Sequence, residues 1–259
     1  MNKIKFGMPQ LIELESLEEN FRLCHELELN FLELNFNLPH MQPNQLNVGE
    51  LKALKDKYNI GLTAHLHEEI DLGHFNTHIN LAYLNIIQDS LKLARDVGID
   101  KLNLHMNKGI HFTLPTEKIE VYRKHKVEYL RHIKNNLNNL NHMLKDSNIE
   151  LVIENTGLYN RQHICEAVEM LIASPYIHLT FDIGHNKIHQ LCDEGFILQH
   201  VNQISHFHLH DATHTQDHLP FFTGAIDLKP YLDIALKNNA SCLIEVKTKD
   251  ALIKSVEAI

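Results

Sequence analysis

Residues 204–218 read ISHFHLHDATHTQDH and hold five histidines in fifteen positions. Scattered surface polars, a low-complexity metal-sequestering tract, and a strand with its loop feeding a metal site are three ways to explain that density. His206, His208 and His210 alternate with Phe207 and Leu209, the period of a strand with one polar and one apolar face. A low-complexity tract has no such period. The same division recurs elsewhere. Thr63, His65 and His67 oppose Leu62, Ala64 and Leu66; Asn103 and His105 oppose Leu102 and Leu104; Glu154 opposes Ile153. Thr180 and Asp182 oppose Leu179 and Phe181; Glu245 opposes Ile244; Glu33 and Asn35 oppose Leu32 and Leu34. Imidazoles and carboxylates ligate divalent cations, and a carboxylate can also take and return a proton. Taken singly, a histidine such as His105 is more often a satisfied core or rim residue than a ligand. It is the recurrence from strand to strand that points to a shared cation, because buried charges and imidazoles are costly unless paired or metal-bound.

These residues need elements to carry them. Eight short runs rich in β-branched or large apolar residues read as buried strands: residues 4–7, 30–35, 60–67, 101–106, 149–155, 177–182, 204–210 and 242–246. Helical spacing fills the gaps, at 17–27, 46–58, 79–97, 116–144, 162–173, 191–201, 228–238 and 249–258, with Ser16, Thr116 and Asp227 as expected N-caps. Gly61, Gly98, Gly157, Gly195 and Gly224 read as turn residues. Alternating strand and helix over this length has two common solutions, a closed (β/α)8 TIM barrel or an open doubly wound sheet. Eight repeats favour the barrel, and the first strand is not followed by the glycine-rich fingerprint of a dinucleotide fold. In a barrel of this kind the carboxyl ends of the strands carry the chemistry.

The chain has 259 residues and a formal net charge of −9. One domain spanning 1–259 fits that length, since no composition shift or charged tail marks a boundary. The acidic balance counts against a non-specific nucleic-acid binder. The amino terminus has no apolar stretch of the signal-peptide type, and no run is long and apolar enough to span a bilayer. Cys24, Cys165, Cys192 and Cys242 form no CxxC pair and read as reduced thiols. A cytoplasmic location is the expectation. His25, His40, His125, His132 and His142 fall on predicted helices or loops and read as solvated; His206, His210 and His214 read as lying outside the ligand set.

The segments AHLHEEIDLG (64–73), NLHMNKG (103–109), VIENTG (152–157), FDIGH (181–185), HLHDA (208–212), HLP (218–220) and IEV (244–246) resemble the xylose isomerase-like TIM-barrel superfamily. That superfamily contains sugar epimerases and isomerases and also endonuclease IV, and the resemblance covers nearly the whole chain. It implies Glu154, Asp182, His208 and Glu245 as ligands of one divalent ion, with Glu154 and Glu245 as the base and acid that move a substrate proton. Likeness to the endonuclease IV branch implies His65, His105, His185 and His218 as further ligands. That branch has an Asp two residues before the last histidine; Gln216 stands there, and the adjacent Asp217 is the candidate in its place.

Two enzymes are therefore in view. One is a metal-dependent isomerase or epimerase of a small sugar, polyol or sugar phosphate. The other is a multinuclear zinc phosphoester hydrolase, such as an abasic-site endonuclease. The loop sequences NFNLPHMQP (35–43) and HEEIDLG (67–73) are neutral or acidic, and FFTG (221–224) departs from the small-residue run of the nuclease branch. They offer few contacts to a phosphate backbone, so a small carbohydrate is the expected partner and nucleic acid is not. A barrel that only binds is disfavoured by the intact acid set, since unselected buried charge destabilises a fold. Imidazole-rich ligation places zinc first among cofactors, with manganese or cobalt as alternatives, at one to three ions. Lys247, inward in phase, reads as the partner of a carboxylate.

Overall fold

The computed structural model describes residues 3–259. Among the described residues ten strands occur in chain order: β1 (Lys5–Pro9), β2 (Phe31–Asn35), β3 (Gly61–His65), β4 (Ile99–His105), β5 (His111–Thr113), β6 (Lys118–Glu120), β7 (Glu150–Glu154), β8 (Ile177–Asp182), β9 (Ile204–Leu209) and β10 (Ser241–Ile244). All but β5 and β6 are parallel and close into an eight-stranded barrel. The last strand pairs with the first, Lys5 opposite Ser241 and Gly7 opposite Leu243. The helices lie between strands in sequence: α1 (Leu17–Glu26), α2 (Val48–Tyr58), α3 (Thr77–Val97), α4 (Val121–Lys124), α5 (Lys126–Leu144), α6 (Gln162–Ile172), α7 (Ile183–Ile188), α8 (Glu194–Gln199), α9 (Lys229–Asn238) and α10 (Lys249–Glu257). No helix among the described residues is long and apolar enough to cross a membrane.

Local sequence accounts for the helix ends. At α1 the Ser16 hydroxyl accepts the Glu19 amide at 3.2 Å while the Glu19 carboxylate accepts the Ser16 amide at 3.0 Å, a reciprocal cap. Asn76 caps α3 through the His78 and Ile79 amides, and Gly98 ends it with φ 75, a left-handed turn that glycine adopts without steric cost. The outward phase of the strands, with Leu34, Leu104, Ile153, Phe181 and Phe207 fully buried, packs under the helices.

The inward phase is polar, as the alternation predicts. Thr180 on β8 donates to Asn103 on β4 at 2.7 Å, although β7 lies between those strands; only side chains that cross the interior can meet in this way. Glu33 on β2 likewise faces His208 and His206 on β9, at 3.5 and 3.7 Å.

The structure departs from several of the predicted elements. The helix expected over 116–144 begins instead with the antiparallel hairpin of β5 and β6, turning at Leu114–Glu117. The Phe112–Ile119 cross-strand pair and Pro115 favour a hairpin over a helical start, so Thr116 is not a cap. The helix expected over 191–201 is the shorter α8, preceded by the unforeseen α7, and Gly195 sits inside α8 rather than at a turn. Strands 60–67 and 242–246 stop at His65 and Ile244, so Glu245 sits one residue past its strand, still 9% exposed.

The long loop after β9 is tied down by one carboxylate. Asp211, 1% exposed, accepts the amides of Ala212 at 2.8 Å, Gly224 at 2.7 Å and Ile226 at 3.0 Å. Its backbone exchanges two 2.9 Å bonds with Leu219. Each donor left unpaired in a buried site costs about 1–3 kcal/mol. Asp211→Ala should therefore lower the melting temperature by at least about 4 °C, read by calorimetry; a shift below about 1 °C would show that the loop is held by other means.

Candidate metal centre

The barrel register sets the site. His65, His105, Glu154 and Asp182 are the last residues of β3, β4, β7 and β8. The ladders place His105 beside Glu154 and Asp182 beside His208. Strand pairing thus levels each of these two pairs, but Glu154 itself lies opposite Thr180 and His65 opposite Asn103, so the side chains complete the convergence.

Glu154, Asp182, His208 and Glu245 present donor atoms that all lie within 4.8 Å of one another. His208 is fully buried, and its Nδ1 stands 3.0 Å from Glu245 Oε2, 3.3 Å from Glu154 Oε2 and 3.9 Å from Asp182 Oδ2. His208 Nδ1, Glu154 Oε1 and Glu245 Oε2 are buried without a well-formed hydrogen bond. Orphaned donor atoms of this type, converging at this spacing, fit a divalent cation. A second group joins His65 and His105 to Glu154. His65 Nδ1 lies 2.7 Å from the Leu66 carbonyl, which can only accept, so Nδ1 carries the proton and the Nε2 lone pair points inward. That Nε2 is 3.1 Å from His105 Nε2, which is 3.1 Å from Glu154 Oε2.

His185 Nδ1 lies 3.1 Å from Glu154 Oε1 and 3.3 Å from Asp182 Oδ2, and His218 Nε2 lies 3.5 Å from Glu245 Oε1. The third residue grouped with them is His210. Asp217 belongs to none of the groups among the described residues: it pairs with His218 Nδ1 at 3.1 Å, and Gln216 is exposed. A fourth group, Glu33, His206 and His208, lies within the barrel interior. His206 Nδ1 lies 2.7 Å from the Ser241 hydroxyl, and Thr63 donates to Glu33 at 3.1 Å.

His206 and His210, expected outside the ligand set, are both fully buried and bonded to residues of the barrel interior, while His214 is exposed. Their strand phase, shared with His208, was the available signal. His25, His40, His125 and His142 are exposed as expected, but His132 is half-buried against Glu128 at 3.3 Å.

Electrostatics follow from burial. Burial opposes charge on His208, but Glu154, Glu245 and Glu33 outweigh it and raise its pKa well above the ordinary histidine value. Burial likewise opposes charge on His185, yet Asp182 and Glu154 push it up to about 10. Glu154 and Glu245, which burial alone would raise, are held well below the usual carboxylate range by the facing His208, aided by His105 and Lys247 respectively. Lys247 lies 2.7 Å from Glu245 Oε1, the carboxylate partner its phase implied.

Above these residues opens a cavity of about 320 Å³, lined by polar groups including Gln10, Asn35, Asn37 and Glu68. Among the described residues lining it, Lys247 is the one lysine and there is no arginine.

Parallel barrel, polar interior and a carboxyl-end cluster of acids and imidazoles define the class. Residues 21–258 match the model of the xylose isomerase-like TIM-barrel family, and the chain belongs to that family. No curated protein matches the sequence. Among solved structures, a D-tagatose 3-epimerase-like protein is similar at 22% identity and TM-score 0.80, with 98% of this chain and 95% of that one covered. The 3-keto-D-glucoside 4-epimerase of E. coli is similar at 17% and 0.75, covering 99% and 97%. A Thermus thermophilus protein soaked with zinc chloride is similar at 20% and 0.70, covering 100% and 97%. At these identities the likeness is one of fold.

With His208 and His185 raised, the metal-free site holds protons at neutral pH that an incoming cation must displace. Zinc titrated calorimetrically in buffers of different ionisation enthalpy should release at least one proton per ion bound at the His208 group. Affinity should climb with pH through the neutral range. Binding that is independent of pH would mean these imidazoles are not displaced.

Proposed function

We propose that the protein is a divalent-metal-dependent isomerase or epimerase of a small sugar, polyol or sugar phosphate. The observation that carries this reading is the convergence of Glu154 and Glu245 on His208 Nδ1, at 3.3 and 3.0 Å, with Asp182 completing the group. When bound there, a divalent cation supplies the positive charge that an enediolate formed next to a carbonyl requires. The two glutamates do the proton chemistry: one removes the proton from the substrate carbon and the other returns it. Both are held ionised by the imidazoles around them. Glu154 is fixed further by Asn103, which donates to its Oε2, and Glu245 by Lys247. Gln10, Asn35, Asn37 and Glu68 offer amide and carboxylate groups to substrate hydroxyls, and a mouth with a single lysine suits a neutral polyol better than a polyanion. The epimerase names of the solved relatives point the same way. Zinc is the first choice for an imidazole-rich set, with manganese and cobalt next.

A second reading stands on a separate observation, the His65–His105–Glu154 group, which a single-ion epimerase does not require. A second ion there would suit a zinc phosphoester hydrolase.

Ketoses and their phosphates, incubated in deuterium oxide with zinc, manganese or cobalt, should incorporate deuterium at the carbon beside the carbonyl. Glu154→Gln and Glu245→Gln should each lower turnover by about 10²–10⁴-fold. Full activity in Glu154→Gln would remove the assignment. His105→Ala separates the readings: a modest loss on sugars accompanies the epimerase, and collapse of phosphoester cleavage accompanies the hydrolase.

A further inference from the structure

His210 is grouped with His185 and His218 as though the three imidazoles could share an ion. Its hydrogen bonds say otherwise. The backbone N–H of His218 donates to His210 Nδ1 at 2.8 Å. Nδ1 also lies 3.4 Å from the Asp211 carbonyl, but that oxygen already accepts the Leu219 amide at 2.9 Å, and the His218 N–H is much the closer partner. A backbone N–H can only donate, so Nδ1 uses its lone pair there and carries no proton. The ring proton is then on Nε2, which lies 3.1 and 3.2 Å from the two Asp182 oxygens. Neither nitrogen keeps a lone pair for a cation. His65 shows the opposite arrangement: its Nδ1–H is spent on a carbonyl, and its Nε2 faces His105 Nε2 and Glu154 within the ligand group rather than a backbone N–H.

The placement of the ring is built into the fold. His210 is fully buried. A Cβ on Gly184 would sit 1.9 Å from its Cε1, so the ring occupies space that only glycine leaves. The His218 ring stacks on it at 4.2 Å and 3°. His218 itself takes φ 52, a left-handed conformation uncommon outside glycine, and delivers its amide to Nδ1.

We propose that His210 is a positioning residue. Its Nε2–H aims the Asp182 carboxylate at the shared donor group, and with both its nitrogens spent the His185, His210 and His218 trio holds no ion. The Asp182 carboxylate is then braced by two donors, His210 Nε2–H and the His185 amide, which reaches Oδ1 at 2.6 Å. Partners of this kind orient first ligands, and losing one typically costs about 10–100-fold in metal affinity. The inference rests on the metal reading above for its effect on affinity, and on hydrogen-bond geometry alone for the tautomer.

Two measurements test it separately. In metal-free protein labelled with ¹⁵N-histidine, His210, assigned by the signal missing from His210→Asn, should show the Nε2–H tautomer. An Nδ1–H tautomer, or a ring protonated on both nitrogens, would overturn the proposal. Zinc titration of the wild type, His210→Asn and His210→Gln then reads its role. His210→Asn can still accept the His218 amide but does not reach Asp182, and it should weaken binding about 10–100-fold at an unchanged number of ions. His210→Gln, whose amide can still donate to Asp182, should recover most of that affinity. If His210→Asn instead lost one whole ion while the others bound as before, His210 would be a ligand and the proposal wrong. If the wild type bound no divalent ion, the metal reading would fall, and the tautomer would still decide whether His210 holds Asp182.

Discussion

The burial of one carboxylate organises the mouth of this barrel. Glu154 is 1% exposed. It is surrounded by His105 at 3.1 Å, His185 at 3.1 Å, His208 at 3.3 Å and His65 at 3.6 Å, with Asn103 donating from below. A buried ion without partners costs several kcal/mol, so the strands that deliver these partners cannot vary independently of it. Two groups of candidate ligands share Glu154. Whatever occupies one of them is therefore felt by the other through a single side chain.

Charge balance extends the constraint to the whole interior. Glu33, Glu154, Asp182 and Glu245 are all at most 9% exposed. Among the described residues, Lys247 is the one lysine or arginine paired with any of them; the other basic groups facing them are imidazoles. The fold thus relies on protons or a cation to compensate its own acids, and that is a physical reason for so many histidines in one phase. Glu33 illustrates it: burial alone would raise its pKa, but His208 and His206 hold it below the carboxylate range. Through His208, whose Nε2 faces Glu33 and whose Nδ1 faces the mouth, the deep and shallow acids are linked.

Much of this was legible in the residues because period-2 alternation has one physical meaning in a closed sheet. Strand 177–182 was read to its ends, and the inward set His65, His105, Glu154, Asp182 and His208 follows from phase alone. What was not legible depends on loop geometry. Asp217 neighbours the position the resemblance implies for a ligand; its pairing with His218 Nδ1, and the stacking of the His218 ring on His210, are set by the loop that Asp211 anchors and have no signature in residue spacing. His206 and His210 share the phase of His208, but only the distances to Glu33 across the barrel and to Asp182 on the neighbouring strand separate them from spectators. The 111–120 hairpin has no such signal, because the helical spacing downstream of it continues the apparent pattern upstream through β6 to Thr116.

The most direct test is anomalous diffraction from crystals of the protein grown with zinc, recorded on both sides of the zinc edge. The account predicts a peak bounded by Glu154, Asp182, His208 and Glu245, with any second peak lying between His65, His105 and Glu154 and none between His185, His210 and His218. A barrel mouth without zinc signal, at a zinc concentration that saturates binding in solution, would contradict it.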